Sequence, residues 1–297
     1  FAPGRAGLAS GMLAATRRST RKTESVNSRP FSDPLTSDSR KTYALLEGCV
    51  MSGLYAHVHD ATRRTLRRRG HKELSAPGQE CCGALHAHAG RLEAARALAR
   101  TNIEAFENSG AELIVTDSAG CGAAMRDYPE WLKGDSDWQR RAESLAARVR
   151  DISELLAGST ETAPHTGDGP RVAYDAPCHL LHAQGIREAP LEALAASGYS
   201  VDPLPSWERC CGGAGLYNLQ QPELSDRILE RKVEEIKAGC YDVVTTGNPG
   251  CMMFLGAGLK RAGLDVAVVH PVELVDAADG NAEQWAEYRV TESLLGD

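Results

Sequence analysis

The residues best suited to chemistry in this sequence are its cysteines, and their spacing repeats. Eight of the nine form two matched sets: Cys49, Cys81, Cys82 and Cys121, then Cys178, Cys210, Cys211 and Cys251. The first three members of each set lie 129 residues apart and the last lies 130 apart. Four thiolates are the ligand number of an iron–sulfur cluster or a structural zinc site. The sequence therefore predicts two copies of one domain, each with its own sulfur site.

The residues alone leave the occupant of these sites open. Sulfur ligands suit both zinc and iron–sulfur clusters. The adjacent Cys-Cys pair lacks the short C-x2–4-C loop of zinc ribbons, and it suits a larger cluster in which neighbouring thiolates reach different irons. Zinc in at least one copy stays an alternative. Thiol–disulfide chemistry at the adjacent pair is disfavoured because a vicinal disulfide is strained and no C-x-x-C is present.

The ninth cysteine, Cys240, corresponds to Gly110 at a helix end of the first copy, so we expect a buried or half-buried thiol and no ligand role. An odd number of cysteines also excludes a fully paired disulfide framework. Tyr217 is expected in the core. Four histidines close to the cysteines could hydrogen-bond sulfurs or move protons, although cap and surface roles are commoner: His86, His88, His179 and His182.

Strands and helices that alternate along both copies must position these cysteines. Apolar periodicity predicts strands at 43–48, 73–76, 113–116, 172–174, 200–204, 243–246 and 266–269. It predicts helices at 54–69, 91–108, 138–148, 152–156, 186–197, 224–238 and 251–262. The expected fold is α/β, with two tandem Rossmann-like parallel-sheet domains related by pseudo-two-fold symmetry.

Parallel strands also predict where the sulfurs meet. The cysteines fall directly after predicted strands, and loops beyond the carboxyl ends of parallel strands converge. We therefore expect the four sulfurs of a copy to lie close together, at roughly 6–7 Å if they span a cubane.

Composition and charge exclude several classes of protein. The chain has 297 residues and a net charge of −7, which divides into +5 in residues 1–41 and −12 in residues 42–297. We predict a linker at 1–41, a first cysteine-rich domain at 42–165 and a second at 166–297. No apolar run is long enough to cross a bilayer, and the acidic body argues against nucleic-acid binding. The sequence contains no nucleotide-binding or serine-hydrolase motif, so no catalytic residue is predicted.

Six short motifs carry a resemblance to a known family: LEGC at 46–49, ECCGALHAH at 80–88, SAGCGA at 118–123, APCHLLHAQ at 176–184, CCGGAGLYNL at 210–219 and NPGC at 248–251. They resemble the duplicated cysteine-rich CCG domain of heterodisulfide reductase and related proteins. The sequence also resembles the iron–sulfur subunits of glycolate oxidase (glycolate dehydrogenase), over about residues 42–280.

The resemblance implies an electron-transfer subunit with iron–sulfur clusters, most simply [4Fe–4S], held by the eight matched cysteines. It also implies FAD on a partner subunit that oxidises glycolate to glyoxylate, a quinone-linked acceptor, and a cytoplasmic protein that is peripheral on the inner membrane. The family carries an N-terminal ferredoxin-like domain. Because the chain begins at Phe1 without that domain, we expect residues 1–16 to be the tail of a truncated one.

The sequence departs from the heterodisulfide reductase pattern at the fifth cysteine of each copy, where Ala124 and Phe254 stand. A five-thiolate site is therefore excluded, and the cluster type stays open. Two other functions are kept as alternatives: a zinc-stabilised docking module for the flavin subunit, and a thiol–disulfide reductase of the heterodisulfide type.

Overall fold

Two sheets of identical topology organise the chain. The computed structural model describes residues 40–157 and 169–280. Each half contains a four-stranded, all-parallel sheet, with strand order β2-β1-β3-β4 in the first and β6-β5-β7-β8 in the second. The predicted α/β fold with tandem Rossmann-like domains is confirmed.

The elements of the two halves correspond along the chain. The first half contains β1 Thr42–Leu45, α1 Val50–Leu54, α2 Ala56–Arg68, β2 Lys72–Glu73, α3 Ala84–His88, α4 Leu92–Ser109, β3 Leu113–Thr116, α5 Ala119–Arg126, α6 Tyr128–Trp131, α7 Ser136–Ala146, β4 Val149–Asp151 and α8 Ile152–Leu156. The second half contains β5 Val172–Tyr174, a π-helical turn His179–Ala183, α9 Ala189–Ala196, β6 Val201–Pro203, α10 Tyr217–Gln220, α11 Pro222–Gly239, β7 Val243–Thr245, α12 Pro249–Arg261, β8 Ala267–Val269 and α13 Pro271–Ala278.

The edge strands β2 and β6 are shorter than predicted. Both occupy a sheet edge, where a strand pairs with one neighbour only. β2 pairs with β1 through two residues, and β6 pairs with β5 through three. Exposed edge strands are commonly short, because a long unpaired edge invites association with other chains.

Proline shifts two helix starts away from their predicted positions. α9 begins at Ala189 instead of 186, with Pro190 in its first turn, and α12 begins at Pro249, two residues before Cys251. Proline fits the first turn, where its missing N–H has no intrahelical partner. Cys251 therefore lies inside the first turn of α12. Cys121 lies likewise inside α5, so the prediction that both follow directly on a strand is wrong in this detail.

The two halves pack against each other through two pairs of helices. α2 of the first half contacts α13 of the second, and α8 of the first contacts α9 of the second. Reciprocal contacts of this kind are those of a two-fold pseudo-symmetric interface. Asp276 of α13 is fully buried and accepts hydrogen bonds from Arg64 and Arg68 of α2.

One apolar core is shared across this interface. It includes Leu45 and Val58 from the first half and Val272 and Val275 from the second. The two halves therefore share buried apolar surface, which fixes the carboxyl ends of the two sheets relative to each other.

The predicted linker at 1–41 and the predicted boundary at 165/166 lie almost entirely outside the described residues, so both stay predictions. Within residues 40–157 and 169–280, no helix is both long enough and apolar enough to cross a membrane.

Candidate cysteine-cluster sites

The first site collects its cysteines from three loops at the carboxyl edge of the first sheet. Cys49 is the N-cap of α1, Cys81 and Cys82 precede α3, and Cys121 lies in the first turn of α5. The Cys49 thiol donates to Cys81 Sγ at 3.5 Å, and Cys82 hydrogen-bonds both Cys81 and Cys121. Loops that are distant in sequence thus bring four sulfurs into one contiguous group.

The contacts of Cys81 favour its thiolate form. Hydrogen bonds from the Cys49 and Cys82 thiols lower the pKa of Cys81 to about 2, although burial opposes the shift. The contact with Cys81 raises the pKa of Cys49. The Gly83 N–H donates to Cys81 Sγ at 3.5 Å, and the Ser118 hydroxyl donates to Cys121 Sγ at 3.2 Å. The surroundings thus favour the thiolate at Cys81 and Cys121, the form of cysteine that binds metals.

Asn102 of α4 and Tyr128 of α6 hold the loop of Cys81 and Cys82. The Asn102 side chain accepts from the Glu80 N–H at 2.8 Å and donates to the Cys81 carbonyl at 3.0 Å. The Tyr128 hydroxyl donates to the Cys82 carbonyl at 3.0 Å and accepts from Asn102 at 3.1 Å. Both side chains are fully buried, so they fix the backbone of the loop. Neither residue is among those predicted from the sequence, although an amide on the apolar face of α4 is a detectable signal.

The second site repeats the arrangement. Hydrogen bonds from Cys178 and Cys211 lower the pKa of Cys210 to about 2, while the same contacts raise the pKa of Cys178 and of Cys211. Cys251 also hydrogen-bonds Cys211, so this copy too gathers four sulfurs. Three neighbouring groups donate to sulfur: Gly212 N–H to Cys210 at 3.3 Å, Gly213 N–H to Cys211 at 3.4 Å and the Asn248 amide to Cys251 at 3.5 Å.

A buried charge pair holds the loops of the second site. Lys232 of α11 donates to the Asp175 carboxylate and to the Ser206 carbonyl, the latter at 2.6 Å. Burial raises the pKa of Asp175 to about 7, and Lys232 opposes that rise. The Ser206 hydroxyl also donates to Glu235 at 2.7 Å. These residues are not predicted from the sequence, because a lysine on a polar helix is ordinarily solvated.

The donor set fits an iron–sulfur cluster in number and chemistry. Each copy gathers four sulfurs, and N–H or O–H donors point at sulfurs in both. The spacing is that of thiols in mutual contact: the Cys49–Cys81 distance of 3.5 Å is shorter than the roughly 6–7 Å expected across a cubane. Within residues 40–157 and 169–280, no group of three or more His, Cys, Asp or Glu side chains is arranged to hold a single metal ion. The sulfurs of a copy would have to move apart to hold a cubane.

The two sites approach each other across the interface. Gly120 N–H donates to the Asn248 side chain at 3.0 Å, which joins the loop of Cys121 to the loop of Cys251. The rings of His88 and His179 stack with centroids 5.7 Å apart, and His179 Nδ1 lies 3.7 Å from Cys178 Sγ. The contact between His179 and sulfur agrees with one of the predicted histidine roles. His182 instead binds the Glu208 carbonyl at 2.9 Å.

Two predictions about individual residues are wrong. Cys240 is exposed, and it caps α11 in the left-handed conformation, with φ 51°. Its counterpart Gly110 caps α4 in the same conformation. Tyr217 is 40% exposed at the start of α10 instead of lying in the core.

Exposed apolar side chains follow both Cys-Cys pairs. Among the residues described, the large apolar side chains that are exposed are Leu85, Leu92, Leu216, Tyr217, Leu219 and Leu224. The two segments meet, since a Cβ added at Gly215 would lie 3.1 Å from Leu85 Cδ2. We call these six residues the apolar rim.

The fold and the sites define a class of protein: a tandem α/β chain in which each half gathers four cysteines at the carboxyl edge of a parallel sheet. The CCG cysteine-rich domain family matches residues 43–126 and 172–256, which together cover more than half of the chain. The chain therefore belongs to the CCG cysteine-rich domain family.

Relatives with two kinds of name are similar over most of the chain. The probable glycolate oxidase iron-sulfur subunit of Bacillus subtilis is 32% identical over 88% of this chain, and the Glycolate oxidase iron-sulfur subunit of Escherichia coli is 31% identical over 80%. The chain spans 60% and 58% of those proteins. Lactate utilization protein A of Oceanobacillus iheyensis is 32% identical over 77% of this chain and 93% of its own length.

Among solved structures, an aspartate racemase homologue from Pyrococcus horikoshii aligns with 82% of this chain and 99% of its own. The TM-score is 0.30 and the sequence identity is 14%. A likeness this weak supports no inference about function.

Proposed function

We propose that this chain is an iron–sulfur electron-transfer subunit of a flavin-dependent complex that oxidises glycolate. The observation that carries the proposal is the convergence of Cys49, Cys81, Cys82 and Cys121 at one sheet edge, repeated by the four matching cysteines of the second half. The similarity to iron-sulfur subunits of glycolate oxidase supports the same assignment.

The chemistry divides between the group that binds and the residues that hold it. An iron–sulfur cluster supplies reversible one-electron storage when bound. The eight cysteines would hold two such groups, and the N–H groups of Gly83, Gly212 and Gly213 lie where they stabilise negative charge on sulfur. Cys82, Cys211 and Cys251 are buried, which limits the access of water to that side of each site.

In this proposal the electrons come from FAD on a partner subunit and leave toward a quinone-linked acceptor. The apolar rim supports docking of the flavin subunit there, since its residues follow both Cys-Cys pairs and exposed apolar surface is typical of protein contacts. The expected location, cytoplasmic and peripheral on the inner membrane, remains a prediction. Glycolate is the proposed substrate of the partner, and relatives named for lactate utilization make lactate the competing substrate to test.

The proposal is tested by metal analysis of protein purified anaerobically. We expect iron and acid-labile sulfide in both halves, with Cys210→Ser reducing iron per chain to about half and Cys240→Ser, the exposed control, leaving it unchanged. Zinc without iron or sulfide would refute electron transfer and favour the zinc-stabilised docking module.

Docking is tested by co-purification with the flavin subunit. Leu85→Glu together with Tyr217→Glu should reduce the recovered flavin at least tenfold, because two charges would face an apolar contact. Arg140→Glu on the exposed side of α7 is the matched surface control. Recovery equal to wild type would place the partner elsewhere, and reduction of the isolated complex by glycolate or lactate then identifies the substrate.

A dithiol reductase is the second candidate, because the exposed Cys49 thiol contacts the Cys81 thiolate. It predicts that iron-free protein reduces small disulfides and that Cys49→Ser abolishes this activity. Equal rates in wild type and Cys49→Ser would exclude it.

A further inference from the structure

A buried histidine–aspartate pair lies beside the first site. His59 on α2 is 2% exposed and Asp117, directly after β3, is fully buried. His59 Nδ1 donates to Asp117 Oδ2 at 2.7 Å, and His59 Nε2 donates to the Glu47 carbonyl at 2.9 Å. The Thr62 hydroxyl donates to the same Asp117 oxygen at 2.9 Å.

The partners of His59 determine its charge. A carboxylate and a backbone carbonyl both accept hydrogen bonds, so both ring nitrogens of His59 must donate, which requires the imidazolium. Burial opposes this charge, but Asp117 outweighs burial and raises the pKa of His59. Burial likewise opposes the carboxylate, yet His59 holds the pKa of Asp117 below its usual value. The two residues form a buried ion pair.

This pair joins two of the three cysteine loops of the first site. The Glu47 carbonyl that accepts from His59 lies two residues before Cys49. Asp117 precedes Ser118, whose hydroxyl donates to Cys121 Sγ at 3.2 Å. His59 and Asp117 therefore tie the loop of Cys49 to the loop of Cys121.

In the second site, the buried charge pair connects a different combination of cysteine loops. Asp175 lies three residues before Cys178, and the Ser206 carbonyl lies four residues before Cys210, so Lys232 ties the loops of Cys178 and Cys210. The positions do not correspond between copies. Asn102 stands where the second copy has Lys232, and Gly247 stands where the first has Asp117.

We propose that each copy positions its cysteine loops with one buried charge pair, and that the pair connects different loops in the two copies. His59–Asp117 connects the loops of Cys49 and Cys121, and Lys232–Asp175 connects the loops of Cys178 and Cys210. The proposal rests on the proposed iron–sulfur function. Its consequence is that the two sites are not equivalent: His59 acts on the first cluster only and Lys232 acts on the second only.

The test uses full-length protein purified anaerobically with its clusters. Cys49→Ser and Cys178→Ser first assign the electron paramagnetic resonance signal of each site, because each variant lacks one ligand. His59→Gln should then alter the signal of the first site and lower iron and sulfide by up to half, with the second signal unchanged. Lys232→Met should alter the signal of the second site and leave the first signal unchanged. His57→Gln is the matched control, since His57 lies on the same helix but pairs with Glu273 of the second half.

Two outcomes would overturn the proposal: wild-type signals and iron in both His59→Gln and Lys232→Met, or loss of both signals together in either variant while far-ultraviolet circular dichroism stays native. If His59→Gln does not fold, Asp117→Asn, which preserves the side-chain shape, is measured in its place with the same expected result.

Iron-free wild-type protein would refute the proposed function and leave positioning by His59 open to a separate measurement. The alkylation rates of Cys49 and Cys178 are then compared by mass spectrometry. Positioning by His59 requires His59→Gln to raise the rate at Cys49 at least threefold with no change at Cys178. Equal rates in wild type and His59→Gln would overturn it.

Discussion

The two halves of this chain keep the same sulfurs and the same strand order but support them differently. The residue that holds the loop of the Cys-Cys pair is the neutral amide Asn102 in the first half, where it hydrogen-bonds Tyr128. In the second half it is the cation Lys232, which hydrogen-bonds Asp175. The helices that carry Asn102 and Lys232 end in the same left-handed cap. Duplication therefore preserved the ligand positions and the turn geometry, while the buried polar residues that hold the loops diverged.

The largest difference in unfolding free energy between the halves is expected when the residues that hold the loops of the Cys-Cys pairs, Asn102 and Lys232, are replaced. Lys232→Met leaves Asp175 buried without its cation, which should cost about 3–5 kcal/mol of unfolding free energy above about pH 7, where Asp175 of the wild type is ionised. Asn102→Leu leaves the Glu80 N–H and the Cys81 carbonyl without a partner, which should cost about 1–3 kcal/mol. Urea unfolding measures both variants. Equal costs would mean that Lys232 contributes no more than a neutral hydrogen-bonding group.

An intermediate difference in stability is expected when the glycine after each Cys-Cys pair is replaced by alanine. Gly83 and Gly212 both have positive φ, 83° and 95°. A Cβ at Gly212 would lie 2.6 Å from the Ser225 carbonyl and 2.9 Å from Phe254, whereas at Gly83 the nearest atom, on Trp131, lies at 3.3 Å. Both alanine variants carry the left-handed strain of about 1–2 kcal/mol, and Gly212→Ala adds about 1–3 kcal/mol of overpacking.

Thermal unfolding compares the two glycine variants directly. Gly212→Ala should melt below Gly83→Ala. In a double-mutant cycle, a Phe254→Ala background should lessen the cost of Gly212→Ala only in part, because the Ser225 backbone cannot give way. A cost in that background equal to that of Gly83→Ala would assign the whole clash to Phe254 and contradict the role given to the backbone.

The smallest effect is the pH dependence that the first half owes to His59 and Asp117. The raised pKa of His59 makes its stabilisation complete below about pH 6.5 and lost as the pH rises through the folded value. The lowered pKa of Asp117 makes its stabilisation complete above about pH 3.9 and lost as the pH falls through the folded value. The stability difference between wild type and His59→Gln should thus be largest between about pH 4 and 6.5.

Unfolding in urea across this pH range measures the difference. A constant difference at every pH would show that His59 contributes shape and hydrogen bonds but no charge.

Much of the architecture can be predicted from the sequence, and the failures have identifiable causes. Strand β3 and helix α8 match their predicted limits, because a β-branched run and the Asp151–Glu154 capping box are local signals. The starts of α9 and α12 differ from their predicted positions because prolines at 190 and 249 fall inside the first turn. Cysteine is usually buried, which is why Cys240 is expected to be at least half-buried, yet its helix cap faces solvent.

By itself, the sequence determined what short-range spacing encodes: two copies, four cysteines in each, and alternating strands and helices. The tertiary structure alone decided which loops meet and which charges are buried. His59 and Asp117 are 58 residues apart and Lys232 and Asp175 are 57 apart, so neither pair leaves a local pattern in the chain. A histidine or lysine on a helix is usually solvated, and it becomes a buried charge only where packing brings an acceptor from another strand end and excludes water.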